Sequence, residues 1–418
     1  MSIETDVYVS IAGGDVLAGR MHAHRRRSTE SATFIYAESY LGHPGAYPLD
    51  PSLPLASGAH QTPLGLAIFS AFADSAPDRW GRSLIKRRER RSAVSTGVRP
   101  RSFGEVDFLL GVRDDLRQGA IRFQDPETAE VVASVDVGVP SLNELSELLA
   151  ITERVESGSN VEEELQRLVR AGSSLGGSRP KTHVKTPDGR IAIAKFPAVS
   201  IDTWNVMAWE KVAFDLAANA GITVPYTDLV DISGRSVLIV YRFDRALDGE
   251  RIGYRSALTM LEARDREQRS YLDIGEVIEE RSPSATEDLQ QLWRRIAFFI
   301  LVSNTDDHLR NHAFLHVDLD SWRLSPAFDL NPNPESGLKY LSTAIDDAET
   351  EARIDVLLEV APYFRLDNGD ALTVLSQVVT AVASWRSAAK RLGLSTQEIT
   401  EMELAFEHDA AGQAASLV

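Results

Sequence analysis

The chain has 418 residues, a formal net charge of −17 at pH 7 and a hydrophobic content of 43%. This length and composition indicate a folded protein with enough apolar material for two or three cores. The acidic balance argues against a nucleic-acid-binding surface over most of the protein, and the absence of cysteine excludes disulfides, thiolate metal sites and cysteine nucleophiles.

The first 145 residues predict a small α+β domain. Alternating apolar residues and helical spacing predict strands at 7–11, 31–37 and 120–123, and helices at 64–72, 78–91 and 104–110. A stretch rich in Pro, Ser and Gly over 44–63 predicts a loop. No residues here have the spacing of a catalytic site, so we interpret this part as a domain that supports or docks another part.

Two basic stretches, residues 22–27 and 79–101, contrast with the acidic chain. Runs of this kind are usually solvated helix faces or ion-pair partners of acidic neighbours. Local contact with an acidic partner or with DNA is the second interpretation.

A helical pattern over 141–172 leads into a loop of small residues, 172–181, with the sequence GSSLGGSRPK. Small residues let backbone N–H groups approach phosphate oxygens closely, which makes the loop a candidate phosphate site. The loop lacks the Gly-Lys-Ser/Thr end of a Walker loop and the kinase G-x-G-x-x-G pattern. A plain connector is therefore the alternative.

The next segments carry a lysine and a glutamate at positions typical of kinases. Lys195 lies near the end of an alternating strand, 190–196, and the following helix, 204–220, carries Glu210. In kinases the strand lysine pairs with nucleotide phosphates, and a glutamate of the next helix holds that lysine. A solvated acid on the helix face is the alternative for Glu210.

An apolar strand at 237–241 precedes Arg242 and Phe243. In a kinase-like arrangement this segment connects the lobes, and its backbone groups meet the edge of adenine. Residues 246–284 are mixed and polar, and a long amphipathic helix over 285–303 then leads to the candidate catalytic segment.

The stretch 298–332 contains that segment. Asp306 and Asn311 have the D-x-x-x-x-N spacing of a kinase catalytic loop, in which the aspartate accepts the proton of the attacking hydroxyl and the asparagine binds magnesium. Asp329 follows one β-hairpin later, where a second metal-binding aspartate is expected. Asp306 rather than Asp307 has the required offset to Asn311, so we assign the base to Asp306 and expect Asp307 to cap the turn.

The same residues allow a second interpretation, a hydrolytic metal site. His308 and His312 are four residues apart and follow two carboxylates. The pattern lacks the glutamate of H-E-x-x-H and an obvious third ligand. We rank zinc, and a purely structural polar loop, below the kinase interpretation.

The C-terminal part is predicted to be mostly helical. A short apolar segment at 355–363 precedes predicted helices over 372–392 and 396–408. Residues 410–418 are predicted to fray.

Taken together, these residues resemble the HipA family, the serine/threonine kinase toxins of bacterial toxin–antitoxin pairs. The likeness covers nearly the whole chain and rests on four motifs, FADSAPDRWGR at 72–82, SLGGSRPK at 174–181, NTDDHLRNH at 304–312 and AFD at 327–329. It implies an α+β, two-lobed protein-kinase-like fold with a mostly α-helical C-lobe and an additional small α+β N-terminal domain. The implied domains are an N-terminal domain at 1–145, an N-lobe at 146–245 and a C-lobe at 246–418.

The resemblance also implies site residues. Asp306 would accept the proton, Asn311 and Asp329 would bind Mg²⁺, and Glu210 would support Lys195. The residues implied to contact ATP, besides Asn311 and Asp329, are Gly176, Gly177, Ser178, Lys181, Lys195, Tyr241, Arg242, Phe243 and His308.

In this family a phosphate-loop serine is autophosphorylated, which ejects the loop and silences the kinase. Ser174 occupies the matching position, with Ser173 beside it. A phosphoryl group adds up to about two negative charges where nucleotide phosphates must bind, which is a sufficient physical reason for inactivation.

The function implied is that of an ATP- and Mg²⁺-dependent protein kinase toxin that arrests growth and is associated with persistence. Known targets in the family include aminoacyl-tRNA synthetases. The expected partners are its protein substrate and a small HipB-like DNA-binding antitoxin, with DNA reached through the antitoxin. A small-molecule phosphotransferase and a catalytically silent co-repressor remain alternatives. Because no secretory signal or membrane-length apolar run is visible, we expect a cytoplasmic protein without a membrane partner.

Overall fold

The computed structural model describes residues 2–26, 29–133, 138–157, 167–168, 179–198 and 201–418. The chain divides into two compact units, each assembled from segments that are distant in sequence. The first unit comprises Met1–Ser200, Arg242–Arg255 and Leu315–Asp320, and the second comprises Ile201–Tyr241, Ser256–Phe314 and Ser321–Val418. This division rests on compactness alone, so the predicted domain boundaries near residues 145 and 245 stay a prediction.

An antiparallel sheet forms the centre of the first unit. Its strands are β1 (Ser2–Ile11), β2 (Gly14–Arg26), β3 (Thr29–Tyr36), β4 (Ala59–Gln61) and β5 (Ile121–Gln124), in the spatial order β4-β3-β2-β1-β5. Val7, Met21 and Phe34 are fully buried on this sheet. Alternation of apolar and polar residues thus selects one face for the core, as the sequence predicts.

Helices of the first unit are α1 (Glu38–Leu41), α2 (Ser70–Ala73), α3 (Arg79–Thr96), α4 (Glu105–Leu110) and α5 (Leu145–Glu156). The helix predicted over 64–72 is wrong in extent, since only α2 forms. Gly65 has a φ of +87°, a left-handed conformation that does not continue a helix. A hairpin of β6 (Lys181–Lys185) and β7 (Ile191–Lys195) also belongs to this unit.

The second unit is mostly helical. It contains α6 (Val206–Asn219), the hairpin of β8 (Thr227–Ile232) and β9 (Arg235–Tyr241), α7 (Ala257–Met260), α8 (Tyr271–Arg281), α9 (Ala285–Leu301), α10 (Ile354–Glu359), α11 (Asn368–Ala383), α12 (Trp385–Arg391), α13 (Thr396–Glu401), α14 (Glu403–Phe406) and α15 (Asp409–Leu417). Short strands β10 (Tyr254–Ser256), β11 (Ala313–Asp318) and β12 (Ser321–Leu324) occur where the chain passes from one unit to the other.

Helix α9 is the central element of the second unit. Leu292, Trp293 and Ile296 are fully buried along it, and the Trp293 indole donates a hydrogen bond of 3.0 Å to the carbonyl of Leu357. Its amphipathic pattern was visible in the sequence. The helix ends immediately before the candidate catalytic segment, so its packing fixes where that segment begins.

Three features of the second unit differ from the predictions. The helix predicted over 372–392 is interrupted at Ser384, and Trp385 after the break stacks on Phe406 with ring centroids 4.6 Å apart. The tail forms α15 instead of fraying, because Ala414 is fully buried. Helix α8 was not predicted, although Ser270 and Asp273 form a capping box at its start.

The basic stretches are partly ion-paired with acidic neighbours in the first unit. A nitrogen of Arg25 lies 3.0 Å from an Asp107 oxygen, and Arg82 forms a bidentate pair with Glu105 at 2.5 and 2.7 Å. These contacts favour the ion-pair interpretation of the basic residues. No described helix has the length and apolar character needed to cross a bilayer.

Candidate functional site

Side chains alternate between solvent and core in the segment after α9. Asp306 and His308 are exposed, whereas Asp307 and Leu309 are buried. A proton acceptor must reach the substrate hydroxyl, which only the exposed carboxylate of the two can do. The geometry therefore favours Asp306 over Asp307 as the candidate base.

Asn311 is brought against Asp306 by a turn of 3₁₀ helix at Leu309–Asn311. The Asn311 side-chain Nδ2 donates a hydrogen bond of 3.0 Å to the backbone carbonyl of Asp306, and the Asn311 backbone N–H donates one of 2.7 Å to that of His308. With Nδ2 held in this way, Oδ1 is the amide atom available to bind a cation.

The segment that carries Asp329 runs beside the start of the same loop. The backbone N–H of Asn331 donates to Oδ1 of Asn304 at 2.9 Å, and the side chain of Asn333 donates to Oγ1 of Thr305 at 2.9 Å. These bonds tie together two segments that the sequence separates by a hairpin. Asp329 itself is half-buried and lies two residues before Asn331.

Asp329 and Ser303 both have left-handed backbone conformations, with φ values of +60° and +53°. Such conformations are costly for residues other than glycine and concentrate at functional sites. Their occurrence on the two segments that meet at Asn304 and Asn331 marks this region as a candidate site independently of the motifs.

Behind the exposed loop lies a buried group of polar side chains. Asp307, His312 and Tyr271 are each at most 1% exposed. The Asp307 carboxylate accepts hydrogen bonds from the Tyr271 hydroxyl at 2.5 Å and from Nε2 of His312 at 2.7 Å. His312 is therefore directed at Asp307 and not at His308, contrary to the zinc interpretation. In the described part of the chain, no group of three His, Cys, Asp or Glu side chains could hold a metal ion.

Sequence reasoning missed Tyr271, because the region 246–284 was interpreted only as mixed and polar. The S-x-x-D pattern of Ser270 and Asp273 was the signal that could have located the start of α8. No local pattern could have shown that the tyrosine reaches Asp307, since the two residues are 36 positions apart.

In the first unit, the two candidate phosphate lysines differ in environment. They are paired in register across the β6–β7 hairpin, but Lys195 is half-buried while Lys181 is only 5% exposed. The Lys181 ammonium lies 3.0 Å from an oxygen of Asp78, a residue that the motif spacing does not assign to the site.

Glu210 belongs to the second unit, on α6, and is 1% exposed. This burial excludes the alternative of a solvated acid on a helix face. A buried carboxylate needs a charged or hydrogen-bonding partner, which is compatible with the supporting role expected of it.

The residues predicted to face adenine are held by neighbouring aromatic and charged groups. Tyr241 packs edge-on against Tyr226 with ring centroids 4.9 Å apart. The Arg242 guanidinium is buried and donates to Asp244 and to the carbonyl of Leu116 at 2.7 Å. The side chain of Arg242 thus builds the first unit, so a nucleotide contact from this residue would have to come from its backbone.

The candidate phosphate loop falls outside the described residues. This applies to Ser173, Ser174, Gly176, Gly177 and Ser178. Their roles in binding phosphates and in autophosphorylation stay predictions.

Two protein families match the chain. The family described as the HipA-like C-terminal domain matches residues 173–402, which is more than half of the chain, and the HipA N-terminal domain matches residues 10–116. Among solved structures, the chain is similar to the HipA of Shewanella oneidensis in its toxin–antitoxin complex with HipB and operator DNA. The TM-score is 0.66 at 16% identity, with 99% of this chain and 96% of that chain covered. This likeness confirms the α+β, two-lobed kinase-like fold predicted from the sequence.

Two curated relatives match a part of the chain. One is a candidate kinase of Haemophilus influenzae, 26% identical in an alignment of 144 positions that covers 30% of this chain and 42% of that protein. The other is the candidate kinase Y4dM of Sinorhizobium fredii, 28% identical in an alignment of 135 positions that covers 29% of this chain and 32% of that protein. The matches thus span less than half the length of either relative.

Proposed function

Because the chain belongs to the HipA family, we propose that it is a HipA-type toxin that phosphorylates serine or threonine in a protein. The observation that carries the proposal is the pairing of an exposed Asp306 with Asn311, whose amide is hydrogen-bonded to the Asp306 carbonyl at 3.0 Å. This arrangement offers a proton acceptor and a cation ligand side by side, which phosphoryl transfer requires.

In the proposed reaction the oxygen of the substrate hydroxyl forms a bond to the γ-phosphorus of ATP. The bond from that phosphorus to the β–γ bridging oxygen breaks, and ADP leaves with the electron pair. The exposed carboxylate of Asp306 accepts the proton of the attacking hydroxyl.

The oxygen donors of Asn311 and Asp329 suit Mg²⁺, which prefers carboxylate and amide oxygens. When bound, the ion would offset the negative charge of the phosphates. Nδ2 of Asn311 is fixed to the Asp306 carbonyl, so the side chain presents Oδ1 without a further rotation.

We assign the phosphate contacts first to the half-buried Lys195, with Glu210 in support. Lys181 would reach a phosphate only by exchanging or sharing its contact with Asp78. The loop residues Gly176 to Ser178 are proposed to complete the phosphate site. Tyr241, Phe243, the backbone of Arg242 and His308 are proposed for the nucleoside side.

The partner proposed is a HipB-like DNA-binding antitoxin. The Shewanella HipA is described as part of a complex with HipB and operator DNA. The net charge of −17 is compatible with indirect contact to DNA through such an antitoxin. We further propose a cytoplasmic protein target, with aminoacyl-tRNA synthetases as the first candidates, and autophosphorylation of Ser174 or its neighbour Ser173.

The test is incubation of the purified protein with labelled ATP, Mg²⁺ and a cell extract, followed by mass spectrometry of labelled peptides. We expect labelling of a cellular protein and of Ser174. Asp306→Asn should lower labelling by about 10² to 10⁴-fold, because the proton acceptor is lost. Asp347→Asn, the same change at an exposed aspartate with no assigned role, is the control and should label like the wild type.

Equal labelling by Asp306→Asn and the wild type would contradict the assignment of the base. Transfer of label to small molecules alone would favour the small-molecule phosphotransferase. Binding of the antitoxin without any transfer would favour the silent co-repressor.

A further inference from the structure

The catalytic loop contains two residue pairs with the same spacing. Asp306 and Asn311 form the candidate catalytic pair, of which Asp306 is exposed and Asn311 is largely buried. The next residues along the chain, Asp307 and His312, form a fully buried pair bonded at 2.7 Å. Each buried residue is the immediate neighbour of one functional residue. The Asp307–His312 bond therefore joins the two ends of the loop from its buried side.

The buried pair is held from two further segments, the start of α8 and residues 343–344. The Tyr271 hydroxyl at the start of α8 donates to the carboxylate of Asp307 at 2.5 Å. Thr343 donates its hydroxyl to the Asp307 backbone carbonyl at 2.7 Å. The Tyr271 backbone N–H in turn donates to the carbonyl of Ala344 at 2.8 Å, so the segment after Thr343 also fixes Tyr271.

The hydrogen-bond pattern sets the protonation of these groups. A carboxylate can only accept, so Nε2 of His312 must carry a proton. Nδ1 of His312 is buried and has no hydrogen-bond partner among the described residues, so the ring is oriented by its bond to Asp307. Burial and the charge of Asp307 raise the pKa of Tyr271 well above its usual value, so its hydroxyl keeps the proton that it donates.

A cation of the second unit, Arg295, lies within electrostatic reach of Asp307. Burial lowers the pKa of the Arg295 guanidinium to about 10, while the charges of Asp288 and Asp307 act in the opposite direction. Arg295 therefore stays positively charged near neutral pH and interacts favourably with the buried carboxylate. A charged, hydrogen-bonded aspartate resists displacement because every movement would leave its partners unsatisfied.

We propose that Asp307, Tyr271 and His312 form a clamp that positions Asp306 and Asn311 for phosphoryl transfer. The three are positioning residues, since none of them is exposed to a substrate. The inference rests on the proposed function and adds residues to it that neither the motif spacing nor the predicted ligands require.

Two variants test the clamp. Tyr271→Phe removes one hydroxyl and keeps the ring, and Asp307→Asn removes the charge at nearly constant shape. We expect kcat to fall between about 10-fold and 10²-fold, because small displacements of catalytic groups are costly. KM for ATP should change little, while the Mg²⁺ concentration for half-maximal rate should rise because Asn311 is displaced.

The rates are compared at temperatures well below the Tm of each variant, so that every protein is folded. Tyr363→Phe is the matched control, because it removes the same hydroxyl from a tyrosine of the second unit that is 70% exposed. It should behave like the wild type. Variants with a lower Tm but unchanged kcat and unchanged Mg²⁺ dependence would show that the clamp only stabilises the fold, and would overturn the proposal.

Binding of Mn²⁺, followed by electron paramagnetic resonance, separates this proposal from the proposed function. We expect a weaker affinity in Tyr271→Phe and Asp307→Asn than in the wild type and in Tyr363→Phe. If the wild type shows no kinase activity but the two variants bind Mn²⁺ more weakly, the proposed kinase function is refuted and the clamp is retained. An active wild type with equal rates and equal Mn²⁺ affinity in all variants would refute the clamp and retain the kinase.

Discussion

The carboxylate of Asp244 accepts hydrogen bonds from residues that are far apart in the sequence. Its partners include the Arg242 guanidinium at 2.5 and 2.8 Å, the Arg245 guanidinium at 3.0 Å and the Gly119 backbone N–H at 2.8 Å. Burial alone would raise the pKa of Asp244, but the two guanidinium groups outweigh it, and the pKa lies well below the usual value. One buried aspartate thus joins two distant segments of the first unit.

This lowered pKa predicts how stability depends on pH. Ionised Asp244 stabilises the fold at pH values above 3.8, the usual pKa of aspartate. That contribution is lost as the pH falls towards the lower pKa that Asp244 has in the folded state. Asp244→Asn should reduce the free energy of unfolding by about 3 to 5 kcal/mol at pH 7, because it leaves buried arginines unpaired. The free energy of unfolding of Asp244→Asn should also fall less steeply than that of the wild type between about pH 5 and pH 2. This is roughly the range over which such a carboxylate stops stabilising the fold.

Urea unfolding at a series of pH values measures both effects. Asp248→Asn provides the control, since Asp248 is an exposed aspartate of the same segment. Parallel pH profiles for the wild type and Asp244→Asn would contradict the role given to this carboxylate.

At the scale of elements, helix α3 and strand β6 are joined at their first residues. Asp78 caps α3 by accepting a hydrogen bond of 2.7 Å from the Gly81 backbone N–H, and its other oxygen lies 3.0 Å from the Lys181 ammonium. Both side chains are at most 5% exposed. The motif at 72–82 thus contains the residue that fixes a helix to the strand following the candidate phosphate loop.

The buried ion pair of Asp78 and Lys181 predicts non-additive effects of substitutions on stability. Asp78→Asn keeps an oxygen for the cap but leaves Lys181 without this charge, and we expect a loss of about 3 to 5 kcal/mol in the free energy of unfolding. Adding Lys181→Met removes the unbalanced cation and should recover a large part of that loss. Chemical denaturation of the two single variants and the double variant measures the coupling, and purely additive losses would disprove it.

At the scale of the whole molecule, both compact units are discontinuous in sequence. The first unit needs residues 242–255, because Arg242 donates to the carbonyls of Leu116 and Arg117, and Arg251 donates to Asp114 at 2.9 Å. The chain therefore cannot complete this unit until the first part of the second unit has been synthesised. Folding of the two units is expected to be coupled for this reason.

A truncated chain of residues 1–200 tests this coupling. It lacks Arg242, Asp244 and Arg251. The backbone N–H of Gly119 and the carbonyls of Leu116 and Arg117 would therefore lose hydrogen bonds, and Asp114 would lose one of its two arginine partners. We expect a lower Tm and stronger binding of a hydrophobic dye than for the full chain. Addition of residues 242–255 through a flexible linker should restore part of the Tm. A truncated chain with the cooperative unfolding and Tm of the full protein would contradict the expectation.

The sequence by itself determined the local features of this protein. The spacing of Asp306 and Asn311, the apolar stripe of α9 and the helix predicted from residue 78 all lie within one or a few turns of chain, so residue types are sufficient to predict them. The same local motifs, in their order, predicted the family and the fold.

Only the tertiary structure decided which of these side chains face solvent and which partners they have. It placed Asp306 at the surface and Asp307 in the core, and it brought Tyr271 to that core from another helix. It also made a helix of the tail, where Ala414 is buried. Burial and hydrogen bonding depend on segments that are distant in the chain, and no local pattern records which distant segment will cover a given residue.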